Sequence, residues 1–70
     1  MRLKDLREDN DYTQSYVASV LNCKQNSYQQ YESGKRQIPI DGLIRLAELY
    51  DTSIDYILDI TDEKKPYKRK

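Results

Sequence analysis

Aliphatic residues never stand more than two together in this chain, and they return at spacings of three and four. Such a pattern buries one stripe of a helix and leaves the rest to water. It does not suit a membrane-spanning helix, which needs about 20 mostly apolar residues in a row. It also offers no signal-peptide core. The 70 residues make one small domain. Its core is limited, because a chain this short buries only about 60% of its unfolded surface. The single Cys forms no internal disulfide, and with no His the chain has poor means to hold zinc. With two Gly and two Pro, a turn-rich β architecture is disfavoured. The expectation is a soluble, cytoplasmic, all-α domain.

Leu3 and Leu6 mark a first helix, closed by the turn signal Asn10-Asp11. Thr13 suits the N-cap of a second helix, since its hydroxyl accepts an orphan backbone N–H. That helix turns Val17, Ala18 and Leu21 inward and stops at Asn22, which tolerates a left-handed backbone. A third helix is predicted from about Lys24 to Glu32, ending before Gly34, with the loop 33–37 closed by Pro39. Leu43, Leu46, Ala47 and Tyr50 form the stripe of a fourth. Thr52 or Ser53 caps a short fifth helix with Ile54, Ile57 and Leu58 inward. These predict a domain over 1–61 and a charged, disordered tail over 62–70.

Charge sums to zero but is unevenly placed. Residues 1–40 carry six basic and five acidic groups, residues 41–63 carry one against seven, and residues 64–70 carry five basic groups alone. The plain reading is a solvated surface and a solubilising tail. The sharper one is an acidic part turned away from something that a basic part meets.

The most informative stretch is Gln14 to Ser33. Two helices joined by a short turn, with small Ala18 at their crossing and Cys23 in the angle, have the pattern of a helix-turn-helix. Tyr28 and Tyr31 define the inner side of the third helix. Its outer side then holds Gln25, Asn26, Gln29, Gln30 and Ser33, and none of these is acidic. An amide offers a donor and an acceptor and pairs bidentately with adenine in the major groove. Lys24, Lys35 and Arg36 flank this face, placed for phosphates. The start of the second helix at Thr13-Gln14 adds backbone N–H groups. A Gln-rich face alone reads as merely solvated; with the helix spacing and the flanking bases it reads as a DNA surface.

Thr13-Gln14 with Val17-Ala18, then Tyr31-Glu32 with Gly34-Lys35-Arg36, then Leu43-Ile44 with Leu46-Ala47, resemble the Cro/C1-type (Xre-family) helix-turn-helix domain over residues 2–60. The resemblance implies a compact five-helix, lambda-repressor-like DNA-binding domain in a transcriptional regulator, often a repressor on pseudo-palindromic operators. It implies that Gln14 anchors a phosphate and that Gln25, Asn26 and Gln30 read base edges. Lys24 and Gln29 are at neighbouring positions that read bases or phosphates in some members; here Gln29 is placed with the base-reading set and Lys24 with the phosphate set, beside Ser27, Ser33, Lys35 and Arg36. It implies an internal salt bridge between Arg7 and Glu32. Three positions depart from the family pattern: Asn22 stands where Gly is common, Tyr16 where Glu would complete a capping box, and Tyr28 where an aliphatic is usual.

Other chemistries fare poorly. Ser and Asp without His or another base give no hydrolytic triad, and no Gly-rich phosphate loop is present. Cys23 reads as a turn plug before a redox sensor. Tyr12, Tyr16 and Tyr67 are expected at the surface and the other tyrosines in the core. No enzyme, metal, cofactor or small-molecule ligand is expected. The expected partners are double-stranded DNA and a second copy of the chain, with Tyr56, Ile57 and Ile60 as the dimer seam. The rival is a protein-interaction module that uses the acidic 41–63 surface, as an antitoxin or co-regulator does.

Overall fold

The computed structural model describes residues 1–66 and holds five helices: α1 (Leu3–Asp9), α2 (Gln14–Val20), α3 (Gln25–Ser33), α4 (Ile40–Leu49) and α5 (Ile54–Ile57). No strand occurs among the described residues, and no helix there is long and apolar enough to cross a membrane.

Local chemistry sets the helix ends. Thr13 Oγ1 accepts from the Tyr16 N–H at 3.0 Å, and Ser53 Oγ from the Tyr56 N–H at 3.1 Å. Each cap satisfies one donor that its helix leaves open. A left-handed residue follows every helix: Asp11, Asn22, Gly34, Asp51 and Asp59, with φ between 50° and 83°. Short Asn and Asp side chains tolerate this region better than other L-residues, and Gly enters it freely. Hence α2 ends two residues before the sharp corner at Asn22, and residues 21–24 connect it to α3.

The core draws on all five helices. Leu3, Leu6, Val17, Tyr28, Leu46 and Ile57 are its largest fully buried side chains. Ala18, Tyr31, Ile38, Leu43, Ala47 and Tyr50 complete it. α2 packs most extensively on α3, and α5 docks on α4. Gly42 permits a close approach here, since a Cβ would stand 3.1 Å from Ile38 Cγ1.

Three expectations are corrected. Ile57 is fully buried, so it belongs to the core and not to a dimer seam. Leu58, expected inward, is exposed, because the helix ends one residue before it. Tyr12, expected at the surface, is half-buried, with its ring 4.7 Å from exposed Tyr16 and 6.1 Å from buried Tyr50. Tyr67 lies outside the described residues.

Arg2 joins the two ends of the domain. Its guanidinium donates to the Tyr56 and Thr61 carbonyls, pairs with Asp59 and Asp62, and lies 4.0 Å over the Tyr56 ring. Buried Thr52 donates its hydroxyl to the Lys64 carbonyl at 2.6 Å. Of the charged segment 62–70, residues 67–70 lie outside the described range. Leu46→Ala should lower stability by about 2–5 kcal/mol through the cavity it leaves, whereas Ile60→Ala should change it by less than about 0.5 kcal/mol. Urea denaturation midpoints measure both.

Candidate nucleic-acid interface

α3 carries its polar residues outward because Tyr28 and Tyr31 fill the core beneath it. Gln25, Asn26 and Gln29 are exposed and Gln30 is half-buried. Exposed Lys24 occupies the N-cap position, and Ser27 is half-buried in the first turn. Left-handed Gly34 ends the helix and carries the chain to exposed Lys35 and Arg36. The Arg36 N–H returns to the Gln30 carbonyl at 3.2 Å, which ties this basic loop to the end of the helix. Amides and bases thus share one side of the molecule. Ser33 is exposed, but its hydroxyl donates to the Gln30 carbonyl at 3.3 Å, so its proton is engaged within the helix.

One carboxylate does lie on α3, and the fold neutralises it. Arg7 holds Glu32 by two parallel hydrogen bonds, 2.6 Å from Nε and 3.2 Å from Nη2. The third guanidinium nitrogen, Nη1, donates to the Tyr12 carbonyl at 3.0 Å. The Glu32 side chain is only 6% exposed, so its charge is withdrawn from solvent as well as paired. Gln14, half-buried at the start of α2, donates its amide to Glu32 Oε1 at 3.3 Å. One of the two Nε2 hydrogens of Gln14 is thereby engaged, and the amide keeps a second to give.

The titration behaviour follows from this geometry. Burial alone would push the Glu32 carboxyl up; the hydrogen bonds from Arg7 and Gln14, with the Tyr28 hydroxyl close by, outweigh it and hold Glu32 below the usual range. Burial, with the nearby Glu32 charge, pushes the Tyr28 phenol far up. Its hydroxyl is enclosed and makes no hydrogen bond of regular geometry, and the same is true of Tyr50. Cys23, half-buried in the α2–α3 corner, has its thiol pushed up by burial, which disfavours the reactive thiolate.

An open groove runs beside this cluster, lined by Lys4, Arg7, Gln14, Gln29, Glu32 and Ser33. Lys4 is the member that sequence reasoning passed over. Its signal was its place three residues before Arg7, on the same face of α1. No group of His, Cys, Asp and Glu suited to a metal ion occurs among the described residues.

Because the folded-state pKa of Glu32 is depressed, its pair contributes stability that is complete above the unfolded value of about 4.3. That contribution is lost as pH falls through the lower folded value. In wild type the urea midpoint should therefore drop across the acid range below that value. In Glu32→Gln it should start lower at pH 7 and lose less on acidification. Parallel curves for the two proteins would contradict the assignment.

The chain's likeness to known proteins agrees with this geometry. The sequence profile of a helix-turn-helix family matches residues 3–57. Over 65 residues the chain is 40% identical to the uncharacterized HTH-type transcriptional regulator YobD of Bacillus subtilis, covering 93% of this chain and 58% of that protein. It is 34% identical over 64 residues to the HTH-type transcriptional regulator AnsR of the same organism, covering 91% and 55%. It is 40% identical over 57 residues to the HTH-type transcriptional regulator ImmR, also of B. subtilis, covering 81% and 45%. The chain thus spans little more than half the length of the first two. No solved structure matches it significantly. With a capped α2, a corner at Asn22 and an amide-bearing α3 matched end to end by that profile, the chain belongs to the Cro/C1-type helix-turn-helix family.

Proposed function

We propose that this chain is a sequence-specific DNA-binding module of a transcriptional regulator, acting in the cytoplasm as a repressor at a pseudo-palindromic operator. The observation that carries this reading is the exposed face of α3: amides outward, bases on both flanks, and its one carboxylate paired and covered. The three relatives are each named as HTH-type transcriptional regulators, which supports the same reading.

In this mechanism α3 enters the major groove by its N-terminal half. Gln25, Asn26 and Gln30 read base edges, with adenine the favoured partner of their amides. Lys24, Lys35 and Arg36 fix the register on phosphates, as does the second amide hydrogen of Gln14. Ser27 and Ser33 stand beside the backbone, and Ser33 must release the Gln30 carbonyl before it donates. One module makes few contacts, so a homodimer spans two half-sites about one helical turn apart. Of the seam residues, Ile60 is 68% exposed and free to pack on a second copy, whereas Tyr56 is half-buried under Arg2.

A second reading rests on the acidic 41–63 stretch, which also exposes Ile44 and Ile60. There the surface binds a protein partner and the helix-turn-helix serves as scaffold. A salt titration separates the two, because DNA binding weakens steeply as counterions compete.

Selection from a random DNA pool should recover an A/T-containing inverted repeat. On that site Gln25→Ala should cost about 1–3 kcal/mol, with little loss on random DNA. Equal losses on both, measured by titration at fixed salt, would remove Gln25 from the base-reading set.

A further inference from the structure

We infer that α1 joins the DNA contact through Lys4, and that Lys4 and Gln29 together hold one backbone phosphate over the Arg7–Glu32 pair. The inference rests on the DNA-binding reading and deepens it. It adds a residue from outside the helix-turn-helix and moves Gln29 from the bases to the backbone.

The argument is an accounting of which groups in the groove remain free. Arg7 is a cation, but its charge is balanced by Glu32 and three of its five N–H donors are taken: Nε and Nη2 by Glu32, Nη1 by the Tyr12 carbonyl. Glu32 is an anion, but it is paired and covered. The floor of the groove is therefore neutral. Ser33 has spent its hydroxyl proton on the Gln30 carbonyl, and Gln14 has spent one amide hydrogen on Glu32. Two lining side chains remain without an internal partner among the described residues: exposed Lys4 and exposed Gln29.

Their chemistry is an ammonium carrying one charge beside an amide N–H donor, above a neutral floor. A singly charged oxyanion with several acceptor oxygens fits this set, and a phosphodiester is that group. Gln29 fixes its source. It lies four residues from Gln25 on α3, about one helical turn or 5.4 Å along the axis. DNA seated with its bases on Gln25 and Asn26 brings a strand alongside Gln29, and Lys4 faces that strand from across the groove. A Gln29 amide engaged there is turned away from the base edges.

The test begins with wild type, titrated on its selected operator and on random DNA over a range of salt. Lys4→Gln should weaken binding alike on both and reduce the slope of log K against log salt by about one. Ethylation interference should lose one sensitive phosphate per half-site, and Lys4→Arg should restore it. Gln29→Ala should weaken binding with no relaxed preference at any base pair. An unchanged slope and an unchanged interference pattern in Lys4→Gln, on DNA that wild type binds, would overturn the inference and leave the DNA reading standing. A base preference lost in Gln29→Ala would overturn the reassignment of Gln29. Wild type that binds no DNA in a salt-dependent way would remove the reading beneath both. Lys4 is exposed, so the urea midpoint of its variants should match wild type and keep folding out of the comparison.

Discussion

The two-point bond between Arg7 and Glu32 is the constraint on which the arrangement depends. It spans from α1 to α3 and fixes the chain between them through the Tyr12 carbonyl. Through Gln14 it also reaches the first turn of α2. One ion pair thus sets three helices against one another on the side that meets a ligand. Its worth lies less in net stability than in what its loss would do. Removing one partner of a largely buried pair leaves a charge uncompensated, at about 3–5 kcal/mol, whereas replacing both with apolar groups is far milder. The pair also gives α3 its electrostatic character. Without Arg7, the reading helix would present a bare carboxylate to phosphates.

The core around this pair is built from tyrosine where phenylalanine would pack equally well, for the chain has seven Tyr and no Phe or Trp. Tyr28 and Tyr50 both enclose their hydroxyls; that of Tyr28 lies against Glu32, and that of Tyr50 has no hydrogen bond of regular geometry, a cost of about 1–3 kcal/mol. Burial of Tyr50, with the nearby Glu32 charge, pushes its phenol up to about 12. Both rings therefore stay neutral at physiological pH. Both hydroxyls lie near the buried Arg7–Glu32 pair, where charged neighbours make a polar group less out of place.

Much of the fold was legible in the sequence because its punctuation is chemical and local. Thr13 and Ser53 announce helix starts by what their hydroxyls accept, and Asn22 and Gly34 announce ends by the backbone region they tolerate. Periodicity also found the inward stripe of α4, where Leu43, Leu46, Ala47 and Tyr50 are all buried. At α5 it placed Ile54 and Ile57 correctly against the core and failed only at Leu58, because four helical residues are too few to define a face. Ile57 and Leu58 look alike as neighbours, yet one is sealed in the core and the other is exposed. Tyr12 was misjudged for another reason. Its burial comes from Tyr16 and Tyr50, the second of them 38 positions away, a contact that no local pattern encodes. The groove beside α3 was read from one wall only. Lys4 belongs to a helix whose place opposite Gln29 is fixed by tertiary packing.

A formally neutral chain is an unexpected reader of a polyanion, and the resolution is one of range. At physiological ionic strength the Debye length is about 8 Å, so exposed charges much farther apart act almost independently. The molecule measures 33 Å along its longest axis. What a bound strand senses is then the set of charges within reach of α3, where Lys24, Lys35 and Arg36 stand and the one nearby carboxylate is cancelled. The seven acidic groups of 41–63 enter the sum, yet each acts only on what lies within about that screening length of it. Their own surroundings repel phosphate, so on the proposed DNA-binding reading they favour a bound geometry with α3 forward. Placing charge by face in this way lets a small domain associate through one orientation, where a uniformly basic surface of the same size would bind DNA from any side.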